Sequence, residues 1–248
     1  MSVPNILSKP DKTWSPAQSF AYALGAPYQV QHAMLVDALP KSNGALRKRL
    51  SEMCRRDWSV ESAEDLLSTL NWLGREGHRI PHRFRIRQYC LMRRPAIAAR
   101  REELRGIGEK DSEARTELWR LDAVQADWHG VRGGVLVGFD AARAVMLVRC
   151  GLVLGWLEEG AAWRYLLEMA ADVQRSFNSW AEYAADYKLS RALWSGNATP
   201  DLFDGIADHL LVAPKSPWRQ SAWQIEGLGI PRPVTPAREN EPVWVLER

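Results

Sequence analysis

Between Phe139 and Leu154 the chain reads FDAARAVMLVRCGLVL, which is apolar on nearly every face of a helix. No side of such a helix suits water, so it must lie inside a shell of other helices. The longest apolar run here, Ala144 to Leu157, is broken by Arg149 and by glycines. It falls short of the roughly 20 residues needed to cross a bilayer. A buried central helix within an all-α fold is therefore expected.

Helical spacing recurs on both sides of it. Pro16, suited to a first helical position, opens a helix through Leu24. Others are expected over Tyr28–Leu39 and from Gly44 to about Arg56. Ser59 is placed as the N-cap of a helix with the stripe Ala63, Leu66, Leu67, Leu70 and Leu73. Glu61 and Glu64 complement its positive end, and Gly77 stops it. Glu102–Arg105 and Ser112–Trp128 read as a solvent-facing helical pair, and Gly130, Gly133, Gly134 and Gly138 as a flexible approach to the central helix. After it come a stripe from Trp163 to Phe177 and a capping-box spacing at Ser179 and Glu182. The helix so capped carries Trp180, Tyr183, Ala184, Tyr187, Arg191 and Trp194 on one face. Thr199-Pro200 starts another, with Leu202, Phe203, Ile206 and Leu210 turned inward. The organisation expected is a loose arm over 1–14, a single all-helical domain over 15–211 and an extended proline-rich tail over 212–248. That tail packs partly through Trp218 and Trp223 and holds the one strand-like pattern, Val243–Leu246.

Charge is uneven although the net value is only +3. Arg75 to Arg105 holds ten arginines against three acids, whereas Trp156 to His209 holds nine acids against four bases. The two regions either pair with each other or are solvated faces. The basic one is otherwise a patch for an acidic partner or nucleic acid. Three separated cysteines, Cys54, Cys90 and Cys150, without a CxxC pair, fit reduced thiols in a cytoplasmic protein. The N-terminal MSVPNILSKPDKTW lacks the order of a signal peptide. Neither a membrane partner nor a cofactor is expected.

Two polar groups stand out on the apolar pattern. Asp140 and Arg143 lie three residues apart on one helical face, close enough to pair. The pair is either an internal lock or a site with Asp140 as general base and Arg143 holding an anion. Arg191 follows Tyr187 by four residues and precedes Trp194 by three, a spacing that lets a guanidinium stack on rings. It is either a stacked structural arginine or an anion clamp with Trp180 and Tyr183 as walls. His78 is a helix C-cap or a lone acid/base group. His78 and His82 have metal-like spacing, but Pro81 between them is expected to break any helix that would align them, so no metal site is expected. Glu158 and Glu159 suit a helix N-terminus. GVRGGVLVG lacks the Lys-Ser/Thr of a phosphate loop, and Cys150 reads as inert core.

The segments LNWLGREGHR (Leu70–Arg79), DAARA with Asp140 and Arg143, GWLEEGAAW (Gly155–Trp163), SWAEY, the Arg-x-x-Trp-Ser-Gly of Arg191–Gly196 and SPWRQSAW (Ser216–Trp223) occur in a telling order. Together, over about Trp58 to Trp223, they resemble a bacterial all-helical family, the domain-of-unknown-function family numbered twelve-sixty-six. Phe139 departs from that pattern, which has Trp before the aspartate, and the charged insert Ile97–Asp127 lies outside it. The resemblance implies a helical fold and marked positions but no reaction. The functional expectation is an interaction or small-anion-binding module built on Asp140, Arg143, Trp180, Tyr183, Arg191 and Trp194, recognising a protein partner or a small anion. The alternatives are a hydrolase or transferase using Asp140, and nucleic-acid or acidic-partner binding through Arg75–Arg105.

Overall fold

The computed structural model describes residues 3–197 and 201–228. In chain order these form α1 (Pro16–Ala23), α2 (Ala26–Gln31), α3 (Gly44–Trp58), α4 (Ala63–Arg75), α5 (Arg79–Leu91), α6 (Arg94–Gly108) and α7 (Ser112–Gln125). A 3-10 helix (Trp128–Gly133) leads to α8 (Gly138–Leu154), α9 (Glu159–Ser176), α10 (Trp180–Ser195), α11 (Leu202–Val212) and α12 (Pro217–Gln220). No strand occurs among the described residues beyond an isolated bridge between Leu7 and Leu35.

The all-round apolar helix is the hub. Every residue of α8 except Leu152 is buried, and α2, α3, α4, α9 and α10 pack around it. A second apolar cluster gathers Ile86, Tyr89, Ile97, Leu104, Leu121 and Val124 from α5, α6 and α7 against Leu189 and Leu193 of α10. The charged helical pair thus has an inner apolar face. No described helix is long and apolar enough to cross a membrane.

Several boundaries differ from those read in the sequence, each for a local reason. The helix expected over Tyr28–Leu39 stops at Gln31, because Ala33 turns into the left-handed region (φ 52) and sends Leu35 to its bridge with Leu7. Ser59 is not an N-cap: it ends α3 at φ 53, and Ser62 caps α4 by accepting from the Asp65 N–H. Pro81 does not break a helix. It sits in the first turn of α5, where no intrahelical N–H is required, and the His82 N–H still reaches the His78 carbonyl at 3.2 Å. Within the expected arm, Ser8 Oγ and the Lys9 N–H donate to the Asp37 carboxylate and Trp14 stands edge-on to Tyr22 and Trp163, so residues 8–14 are held rather than loose. Trp218 and Trp223 are buried as expected. The helix start at Thr199-Pro200 and the strand pattern Val243–Leu246 lie outside the described residues, and the helix that follows is capped by Asp201.

Helix ends leave their last carbonyls without an intrahelical partner. Arginines from other segments supply one. Arg47 reaches Val153 and Leu154 at the end of α8 (2.8 and 2.9 Å), and Arg120 reaches Leu193 and Trp194 at the end of α10 (2.7 and 3.1 Å). Arg132 does the same for Val124 and Gln125 of α7 (2.9 and 2.7 Å). Each places a cation at the negative end of a helix dipole.

His82 is buried beside these charges, with its Nδ1 unpartnered among the described residues. Burial, then the field of Arg120, pushes its pKa down from 6.5 to about 3. The unfolded chain therefore binds the proton more readily, and the stability that neutral His82 contributes is present above pH 6.5 and lost as pH falls toward 3. His82→Leu is expected to flatten this acid limb, measured as urea midpoints from neutral to acid pH. An unchanged limb would mean that His82 does not govern it.

Candidate functional site

Asp140 lies in the first turn of α8 and is 1 % exposed. It does not pair with Arg143. Its Oδ1 accepts the His78 N–H (3.1 Å), while Oδ2 accepts the Arg79 N–H (3.2 Å) and Arg79 Nη1 (3.3 Å). These N–H groups open α5, so a carboxylate from one helix caps the N-terminus of another. Gly77 makes the approach possible: its φ is +57°, and a Cβ there would lie 2.1 Å from Asp140 Oδ2. Arg79 also donates to Leu73 and Gly74 (2.6 and 2.5 Å), closing the end of α4. The Gly-His-Arg step therefore joins α4, α5 and α8.

The same device recurs at the start of α8. The Asp186 carboxylate, from the middle of α10, accepts the N–H groups of Leu136 (2.6 Å) and Gly138 (2.8 Å), and Ser190 Oγ accepts that of Phe139 (3.2 Å). Burial pushes the Asp186 carboxyl up to about 6, against the opposing pull of these N–H bonds. The glycine-rich approach to α8 is thus held from α10 rather than flexible. Asp186 and Ser190 were missed in the sequence, although both fall on the inward spacing of Tyr183 and Tyr187, where a polar residue needs a partner.

Arg143 stands apart from Asp140, in a cage of rings. Its guanidinium carbon lies 4.3 Å from the Trp58 ring centre, 4.5 Å from Phe139 and 5.2 Å from Trp194. Phe139, the departure from the expected Trp, is therefore one wall. The polar contact of Arg143 is His78, with Nη1 2.9 Å from Nδ1 and 3.3 Å from Nε2. The same Nδ1 lies 3.3 Å from Asp140 Oδ1, so the imidazole stands between the carboxylate and the guanidinium. Trp72 stands edge-on behind that ring at 4.8 Å. Burial lowers the pKa of Arg143, with the charge of Asp140 opposing. Burial also holds the Tyr28 hydroxyl at about 12.

The other expected binding residues are dispersed. Arg191 does not stack on Tyr187 or Trp194: it lies over Phe203 at 4.6 Å and pairs with Asp201. Tyr187 is fully buried, its hydroxyl without a partner among the described residues. Trp180 stacks on Trp218 at 5.5 Å and donates to the Ser221 carbonyl, and the Tyr183 hydroxyl donates to Leu24 and Gly138. Both are core rather than walls. Trp194 alone of this set joins Arg143, and it is 43 % exposed. His78 and His82 stand one turn apart, yet no group of three or more metal-ligating side chains forms among the described residues. Several of these charges are taken close by: Arg85 takes Glu117, Arg100 takes Glu103, Arg101 takes Asp122, and Arg191 takes Asp201.

A family profile described as "Protein of unknown function (DUF1266)" matches residues 53–223. The chain belongs to that family. Neither a curated protein nor a solved structure matches it. The DUF1266 match holds both inter-helix caps and the Arg143 cage, together with the charged insert Ile97–Asp127. It begins after α1, α2 and most of α3.

Proposed function

We propose that the chain is a binding module that recognises a small anion at Arg143. One observation carries this reading. Arg143 is buried without a carboxylate partner, since Asp140, one turn away, is consumed by α5 and Arg79. A buried charge is costly unless paired, and a cation faced by rings and by an imidazole that it shares with Asp140 is suited to receive an anion. The partly exposed Trp194 and His78 mark the route by which an anion reaches it.

The test is tryptophan fluorescence during titration with acetate and inorganic phosphate, because Trp58 and Trp194 flank the guanidinium. A saturable change is expected in the wild type and absent in Arg143→Gln. A flat wild-type response, or an Arg143→Gln response equal to wild type, would sink the reading. The hydrolase or transferase alternative draws less support, because Asp140 is 1 % exposed and both its oxygens already accept bonds from the start of α5 and Arg79.

A second reading has its own observation. On α5, the start of α6 and the step between them, Arg83, Arg87, Arg93 and Arg94 are exposed without an acidic partner among the described residues, beside Phe84 (63 % exposed) and Leu91 (76 %). That face suits an acidic macromolecule. Nucleic acid bound there would dissociate steeply as salt rises from about 50 to 200 mM, whereas a fluorescence response of Arg143 to a small anion would not follow that law.

A further inference from the structure

A second buried arginine on α8 points to a site separate from that of Arg143. Arg149 is 3 % exposed, its Nε has no partner, and it forms no ion pair among the described residues. Its neighbours are neutral: Nη2 meets the Met34 sulfur, and the guanidinium lies 5.7 Å from the Tyr22 ring centre. Asp37, the acid of this neighbourhood, is taken by Ser8 and Lys9.

Arg149 lines a cavity of about 390 Å³ that also receives Lys41 and Arg49, and no carboxylate lines it. Met34, Leu35 and Leu46 supply apolar wall. Asn43 and Ala45, at the N-terminus of α3, complete the rim. The first turn of α3 carries no acid, and Asn43 claims only the Leu46 N–H, so the N–H groups of Gly44 and Ala45 stay unclaimed by the described residues. Arg49 and Arg149 also depress the pKa of nearby His32, after burial.

We infer that this cavity binds a small organic phosphate monoester, its dianion held by Arg149, Lys41, Arg49 and the start of α3, and its apolar body against Met34, Leu35 and Leu46. Three cations and a helix N-terminus match a group carrying about −1.5 to −2 charges at neutral pH better than a monocarboxylate. An unpaired arginine retained inside the hub helix, where an apolar residue would be more stable, is what a ligand-supplied counter-ion requires.

Calorimetric titration of the full chain with phenyl phosphate, inorganic phosphate and benzoate tests it. Phenyl phosphate should bind at one site and most tightly of the three. Lys41→Gln and Arg49→Gln, both at exposed positions, should each weaken it by about tenfold, the loss of one charge contact. Arg149→Met should abolish binding while raising the melting temperature of the unliganded protein, a combination that a structural arginine would not give. If Arg149→Met does not fold, the two exposed variants decide. The inference is overturned if the wild type shows no saturable binding at millimolar phenyl phosphate, if benzoate binds as tightly, or if Lys41→Gln and Arg49→Gln bind as the wild type does. Loss in Arg143→Gln with both of those unchanged would place the anion at Arg143 and overturn it equally.

Discussion

Asp140→Ala is expected to lower the unfolding free energy by about 3–5 kcal/mol, the range for removing one partner of a buried ionic cluster. The substitution strips the acceptor from the first N–H groups of α5 and leaves Arg79 half-buried beside an empty space. At about 2–4 °C per kcal/mol for a chain of this size, the melting temperature should fall by about 10 °C. Gly77→Ala should reproduce most of this without touching the carboxylate, because its Cβ would collide with Asp140 Oδ2 and its φ of +57° strains any side chain. The two losses should not add, since both remove the same cap. Urea unfolding of the two single variants and the double variant measures this directly. An Asp140→Ala cost below about 1 kcal/mol would show that the carboxylate is not holding α5 and would return it to candidacy as a catalytic base.

That experiment bears on what a sequence discloses. The hub helix was legible because an apolar surface on all sides has one stable solution, burial among helices. The stripe of α4 and the docking of Trp218 and Trp223 were legible for the same reason. Asp140 and Arg143 were also visible as foreign to an apolar pattern, but their relation was not. Spacing along one helix shows which side chains share a face and says nothing of what approaches from outside it. Asp140 is claimed by the first N–H groups of α5, some sixty residues earlier, and Arg143 by Trp58 and His78. The same limit explains Arg191, whose helical neighbours suggested Tyr187 and Trp194 while Asp201 and Phe203 of the next segment took it. Asp186 and Ser190 are not singled out by the sequence because an acid or a serine in a long helix usually faces water. Only the buried residues on either side, Tyr183 and Tyr187, signalled otherwise.

The caps also account for part of the local charge. In a fold of short helices, polar ends are numerous and lack intrahelical partners. Arg79, at the head of the basic stretch, joins two helix ends and a carboxylate, and Arg47, Arg120 and Arg132 close others. Arg143 and Arg149 are the contrast. They lie on the most buried helix, claim no helix end, and have no described carboxylate partner, which is why both proposed anion sites rest on them.

Gly138→Ala should be the most damaging glycine substitution in the hub helix. A Cβ there would lie 2.8 Å from the Tyr187 nitrogen and 3.0 Å from its Cα, so it meets backbone rather than a side chain that can swing away. Relief requires α8 and α10 to separate. Separation stretches the bonds by which Asp186 and Ser190 hold the start of α8, and the bond from the Tyr183 hydroxyl to the Gly138 carbonyl (3.1 Å). Overpacking alone costs about 1–3 kcal/mol, and a buried carboxylate losing an N–H partner adds about 1–3 more, so a loss of about 2–6 kcal/mol is expected. Gly44→Ala supplies the internal control. It too opens a helix, but a Cβ there meets nothing within 4 Å, and the change to alanine should be neutral or slightly stabilising. Equilibrium unfolding of both variants separates close approach from helix propensity. If Gly138→Ala is as mild as Gly44→Ala, then α8 and α10 are not held at the distance that Asp186 needs, and the cap at the start of the hub helix is not what fixes their contact.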